Sequence, residues 1–241
     1  MKIHRAENYQ EMSRAAANMV LDQISKKNNS VLGLATGSTP IGMYEYLIEL
    51  YNKGDIDFSE TRTVNLDEYV GLSRDNPQSY NYFMHEKFFR HVNISKENIY
   101  IPDGADTDTE KVCKDYEKII ENIGGIDLQI LGIGTDGHIG FNEPGEAFIP
   151  STHVVTLAES TIISNKRFFD DKKDVPKKAI TIGIKTIFQA KKIVLLASGS
   201  GKAAILQKAL LWPITPGIPA SILQLHSDCT IIGDEDALYL L

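Results

Sequence analysis

Residues 30–53 read SVLGLATGSTPIGMYEYLIELYNK. Residues 30–35 (SVLGLA) form an apolar run of buried-strand length, and TGSTP (36–40) breaks it as a turn. Apolar residues then return at helical spacing over Ile41–Lys53, with Pro40 suited to the first turn. The same alternation recurs on both sides. Upstream, Met12, Ala15, Ala16, Met19, Val20 and Ile24 mark an amphipathic helix within residues 6–27. Downstream, strands are expected at 61–66 (TRTVNL), 126–133 (IDLQILGI), 179–182 (AITI) and 193–197 (IVLLA). Helices are expected at 80–90, with Ser79 as N-cap, at 109–123, and at 203–210 after the glycine-rich turn 199–202. Residues 221–225 (SILQL) and 230–232 close the chain. Strands alternating with helices predict a single α/β domain over residues 1–241: a doubly wound, mainly parallel, Rossmann-like sheet with helices on both faces.

Bulk composition narrows the function. Of the 241 residues 42% are hydrophobic and 24% charged, ordinary for a globular enzyme. The net charge of −7 argues against a nucleic-acid or anionic-membrane partner. It leaves room for a phosphate, which helix N-termini and a few placed cations bind locally. Cys113 and Cys229 match no metal-ligand spacing and read as small buried hydrophobes in a reducing compartment. Without a secretory signal or membrane-length apolar run, the expectation is a soluble cytoplasmic protein.

Open parallel sheets bind ligands beyond the carboxyl ends of their strands, and four such ends carry unusual residues. The first is the 36–40 turn, where the N–H groups of Gly37, Ser38 and Thr39 suit an anion, although Ser38 or Thr39 would also serve as a helix cap. The second is Asn65-Leu-Asp-Glu-Tyr69, whose adjacent carboxylates could include a catalytic base or could cap the next turn. In the third, Gly132, Gly134 and Gly137 spell GxGxxG, but Gly140, Pro144 and Gly145 forbid the helix that a dinucleotide site requires. The glycines instead let a loop fold around Asp136, His138 and Glu143, as a tuned proton-transfer group would need. A second histidine ligand is missing from this stretch, so a metal is not expected. The fourth, Ala197-Ser-Gly-Ser-Gly-Lys-Ala203, fails as a P-loop yet presents Lys202 at a helix start, well placed for a phosphate. The polar stretch 165–178 reads as a solvated surface helix or as a lid over a site.

Together these motifs resemble the glucosamine-6-phosphate deaminases from end to end: LGLATGSTP (32–40), NLDEYVGL (65–72), PQSYNYFM (77–84), GIGTDGHIGFNEPG (132–145), SNKRFFDD (164–171), SGSGKA (198–203) and the closing 219–237 stretch. The resemblance implies conversion of glucosamine 6-phosphate to fructose 6-phosphate and ammonia, with neither metal nor organic cofactor. It implies Asp67 as the base shuttling a proton between C2 and C1, and His138 assisting ring opening under the orientation of Asp136 and Glu143. It places the phosphate on Thr36, Gly37, Ser38 and Thr39 with Arg167 and Lys202 as cations, and makes residues 158–178 a lid.

Two other readings stay open. A 6-phosphogluconolactonase shares the fold and an Asp-Gly-His loop, but its loop usually continues Ser-Leu-Phe-Pro where this one has Ile-Gly-Phe-Asn-Glu-Pro. A sugar-phosphate-sensing regulatory domain would have no need of four catalytic side chains. Some deaminases are hexamers activated by N-acetylglucosamine 6-phosphate through basic residues after the catalytic loop. Here residues 145–156 contain no Lys or Arg, and the chain ends at Leu241 without the continuation of longer members. The expectation is therefore an unregulated monomer or small homo-oligomer.

Overall fold

In the computed structural model, which describes residues 1–157 and 176–241, seven parallel strands form the central sheet. Their order is β1 (Lys2–Ala6), β10 (Cys229–Asp234), β9 (Lys192–Ala197), β6 (Leu128–Gly132), β2 (Val31–Leu34), β3 (Arg62–Asn65) and β5 (Ile99–Tyr100). Helices α1 (Tyr9–Lys26), α2 (Ile41–Lys53) and α3 (Tyr80–Lys87) cover one face through Met12, Val20, Tyr44, Leu47 and Met84, packed on Leu32, Ile130 and Val194. The other face carries α4 (Thr109–Asn122), α5 (Ile184–Phe188) and α6 (Ala203–Leu211), where Tyr116, Ile187 and Leu206 meet Val64, Leu131 and Leu195. Because β2, β6 and β9 are buried on both faces, their runs are almost wholly apolar and legible as strands.

The helix expected over 6–27 begins only at Tyr9, where the Asn8 side chain accepts from Glu11 N, and the residues before it form β1. This strand lies at the sheet edge with four of its five residues exposed, so KIHRA carries no apolar signature. Residues 221–225 lie in a 3₁₀ helix, Pro219–Leu225, packed against α6. The expected helix 80–90 stops at Lys87 and gives way to a 3₁₀ turn, Phe89–His91.

Residues 179–182 do supply a strand, but β8 (Lys178–Thr181) lies outside the central sheet. It is the middle of a second, antiparallel sheet, between β4 (Asp67–Tyr69) and β7 (His153–Thr156). In its register Asp67 faces Thr181, as does His153 on the other side. From β2 the chain winds outward through β3 and β5, then returns to β6 and leaves in the opposite direction through β9 and β10. The switch point falls between β2 and β6, the place where an open sheet of this kind leaves a crevice at its carboxyl edge. Among the described residues no helix is long and apolar enough to cross a membrane.

Candidate active site

The turn after β2 is held open from behind. Tyr44 Oη donates to the Ala35 carbonyl at 2.6 Å, and Tyr9 Oη bridges the chain by donating to Ser38 O (3.1 Å) and accepting from Gly42 N (2.8 Å). Gly37 has φ +98°, a left-handed conformation that glycine adopts without strain. Helix α2 is capped at Pro40 with no side-chain hydrogen bond, so neither Ser38 nor Thr39 acts as its cap. Among the described residues nothing accepts from the N–H groups of Gly37, Ser38 and Thr39. Unpaired donors at a helix N-terminus favour an anion.

The adjacent carboxylates of the second strand end divide the two roles that their sequence left open. Successive strand residues face opposite ways. Glu68, 2% exposed, turns to α3 and accepts from Tyr80 N (2.9 Å), Asn81 N (2.8 Å) and its neighbour Tyr69 N (2.8 Å). It shares the capping of α3 with Ser79, whose hydroxyl accepts from Tyr82 N. Asp67, 5% exposed, has no hydrogen-bond partner among the described residues. Burial, reinforced by the charge of Glu68, pushes its carboxyl up to about 8. A desolvated carboxylate of this kind is a stronger base than an exposed one.

Beyond β6 the GxGxxG stretch is a loop, and its glycines serve packing. The His138 ring lies so close over Gly134 that a β-carbon there would come within 2.3 Å of Nδ1. Gly137, at φ +94°, admits the Ile218 side chain. His138 Nδ1 lies 2.7 Å from Asp136 Oδ1 and 3.6 Å from Glu143 Oε2. Hydrogen bonding to His138 holds the Asp136 carboxyl down to about 2. The closeness of Asp136 Oδ1 to Nδ1 favours the neutral His138 tautomer with its proton there and Nε2 as an acceptor. Asp136, His138 and Glu143 are also a trio that could gather around a metal. However, the 2.7 Å approach is a hydrogen-bond distance, shorter than the roughly 3.3 Å separating two ligands on a tetrahedral zinc.

The fourth end, after β9, is organised by Asp234 at the end of β10. Its carboxylate accepts from Ser198 Oγ and from Gly199 N at 3.0 Å. Lys202 donates Nζ to the Ile133 carbonyl at 2.6 Å, where β6 enters the loop that bears His138. Burial lowers the Lys202 pKa, and the nearby Asp136 charge opposes that shift. Since β9, β6 and β2 are neighbours in the sheet, these turns line one edge. Arg167 and residues 158–175 of the expected lid lie outside the described residues.

Several residues that build the site had no motif to announce them. Thr181 Oγ1 accepts from Phe141 N (3.1 Å), while Asn142 Nδ2 donates to Ile139 O (3.0 Å) and Ile182 O (2.9 Å). These bonds tie the loop that bears His138 to β8 and the residue after it, beside the strand that carries Asp67. Tyr80 stacks on Phe141 at 5.8 Å and 7° and donates to Tyr69 Oη at 3.3 Å, with the Thr36 side chain nearby. Three strand ends are thereby packed through one aromatic cluster.

The fold and the sequence match those of sugar-phosphate enzymes. Residues 4–232 match the family model described as glucosamine-6-phosphate isomerases/6-phosphogluconolactonase, and the chain belongs to that family. Glucosamine-6-phosphate deaminase from Lachnoclostridium phytofermentans is 60% identical over 232 residues, covering 96% of this chain and 98% of the relative. The structure of a monomeric glucosamine-6-phosphate deaminase superposes with a TM-score of 0.97 at 46% identity, covering 100% of both chains. A 6-phosphogluconolactonase from Leishmania guyanensis, at 23% identity and TM-score 0.76 over 98% of this chain and 97% of its own, shares the fold.

Proposed function

We propose that this protein is a glucosamine-6-phosphate deaminase, converting α-D-glucosamine 6-phosphate and water to β-D-fructose 6-phosphate and ammonia. The observation that carries the reading is full-length similarity to deaminases, joined to a buried carboxylate, Asp67, set against the loop that bears Asp136, His138 and Glu143. The phosphate rests on Thr36, Gly37, Ser38 and Thr39, with Lys202 and Arg167 as cations, and so anchors the sugar remote from its reacting carbons. His138 takes the anomeric hydroxyl proton and delivers a proton to the ring oxygen, opening the hemiacetal to an aldehyde. Asp136 and Glu143 orient the imidazole for this exchange. Asp67 then removes the C2 proton, giving an amino-enol, and returns it to C1 as the C2 ketimine forms. Water adds to the ketimine and ammonia leaves. Each transfer needs a group positioned within hydrogen-bond reach, which the packed strand ends favour.

Residues 158–178 serve as a lid in this reading. The similarity to a monomeric deaminase supports a monomer or small homo-oligomer. A charged sugar phosphate and two free, buried cysteines fit the cytoplasm. The test is release of ammonia together with fructose 6-phosphate from glucosamine 6-phosphate by the purified protein. Hydrolysis of 6-phosphogluconolactone without ammonia release would replace this reading with the lactonase one.

A further inference from the structure

We infer that Glu68 is a positioning residue for the proton shuttle: its buried carboxyl, held by three backbone N–H groups, anchors α3 to β4 and sets an acidic side chain beside Asp67. The inference rests on Asp67 being the base of the reaction.

The geometry around Glu68 favours a carboxylate. Its two oxygens accept three backbone N–H bonds, Oε1 from Tyr69 and Tyr80 and Oε2 from Asn81. An amide side chain would turn its NH2 group toward one of these donors, whereas a carboxylate accepts all three. Tyr80 and Asn81 open α3, so their N–H groups also carry the positive end of the helix dipole. Burial raises the Glu68 pKa above the ordinary glutamate value, the three N–H bonds hold that rise back, and the charge of Asp103 adds to it. Arg74, on the loop before α3, in turn pairs with Asp103 at 3.1 Å.

Asp67 has no comparable donors. The groups around it are the neutral hydroxyls of Tyr80 on α3 and Tyr116 on α4, Thr181 on β8, and the bare α-carbon of Gly140. Tyr80 and Tyr116 are held neutral, their own ionisation pushed well above the usual range by burial. Among the described residues, no cation is among the groups acting on Asp67, and Glu68 is the charge that acts on it. A unit charge one residue away in a mostly buried setting is worth roughly one pH unit or more. The site thus uses one carboxylate, satisfied by backbone, to make the other a better proton acceptor. The same bonds carry Tyr80 to its place against Phe141 and Thr36.

The experiment compares kcat/KM against pH for wild type, Glu68→Gln, Glu68→Asp and Ser79→Ala, with thermal stability measured in parallel. Glu68→Gln is expected to move the acid limb down by roughly one pH unit. Glu68→Asp keeps the charge and Ser79→Ala only weakens the helix cap, so both should lose stability while their acid limb stays in place. An unmoved limb in folded Glu68→Gln, or equal shifts in the Gln and Asp variants, overturns the inference. Should Glu68→Gln fail to fold, carbon-13 NMR of the side-chain carboxyls in the wild-type enzyme decides. Glu68 must ionise at lower pH than Asp67, and the reverse order overturns the proposal. That titration reads Asp67 whether or not it is the base, whereas an active Asp67→Asn enzyme would refute the base itself.

Discussion

The Asp67 carboxylate lies against the bare α-carbon of Gly140: a β-carbon there would stand 3.4 Å from Oδ2 and 3.0 Å from Thr181 Oγ1. This contact joins the proposed base, carried on the small antiparallel sheet, to the loop carrying His138, carried on the parallel one. Gly140 has φ +58°, which costs a side-chain-bearing residue about 1–2 kcal/mol. Gly140→Ala should therefore lower Tm modestly and cut kcat by roughly 10-fold, with KM little changed. Steady-state kinetics with thermal melts would check the split; a lost KM at normal kcat would contradict it.

Asp67→Asn preserves shape and removes the basic oxygen. Turnover should fall by roughly 10²-fold or more while substrate still binds, and solvent deuterium should no longer enter C1 of the product. The raised pKa also fixes the sign of a stability effect. An unfolded aspartate ionises near about 4, whereas Asp67 in the folded protein holds its proton up to about 8. Stability linked to that proton is full below the unfolded value and is lost as pH rises through the folded one. Melting curves should show Asp67→Asn gaining on wild type between about pH 4 and 8, and level Tm differences would refute the shift.

Asp136→Asn replaces the acceptor that commits the proton of His138 to Nδ1. Ring opening should slow, with kcat reduced by roughly 10²-fold or more. Because Asp136 is depressed to about 2, its contribution to stability is present above the unfolded value and lost as pH falls from about 4 to 2. Its side chain is 35% exposed, so solvent screening keeps that contribution small. Substrate that has already opened, offered as an acyclic analogue, should bind the variant as it binds wild type.

Lys202→Ala removes a cation held over the catalytic loop at the Ile133 carbonyl. Loss of a charge-assisted contact to phosphate costs about 1.5–3 kcal/mol, or roughly 10- to 100-fold in kcat/KM. The effect should appear for glucosamine 6-phosphate and vanish for unphosphorylated glucosamine, a poor substrate of the wild type. Equal Michaelis constants for the two sugars would exclude this phosphate site.

Residues 145–156 place no Lys or Arg beside the catalytic loop, and Glu146 is exposed there. His153 Nδ1 lies 3.0 Å from the Ser151 carbonyl. An effector shifts an equilibrium only through contacts that differ between states, and the charged contacts for a phosphorylated one are missing from this stretch. Saturation by glucosamine 6-phosphate should be hyperbolic and indifferent to N-acetylglucosamine 6-phosphate, with light scattering giving a monomer or small oligomer. A sigmoidal curve that the effector straightens would refute this while leaving the catalytic roles intact.

What the sequence determined by itself was everything written in local pattern. The 30–53 strand, turn and helix, the buried runs of β6 and β9, and the glycines around Asp136 and His138 declare themselves by burial, helical period and turn chemistry. Tertiary structure decided what depends on distant partners. KIHRA and DEY are too short and too charged to read as strands, and they become β1 and β4 only because β10 and β8 supply their hydrogen bonds. Residues 179–182 read as one more parallel strand, yet β8 pairs antiparallel on both sides and leaves the central sheet. That second sheet separates Asp67 from Glu68, turning one carboxylate to Gly140 and the other to the N-terminus of α3. Strand pairing, set by chain segments more than a hundred residues apart, thus assigns different chemistry to two neighbouring acids.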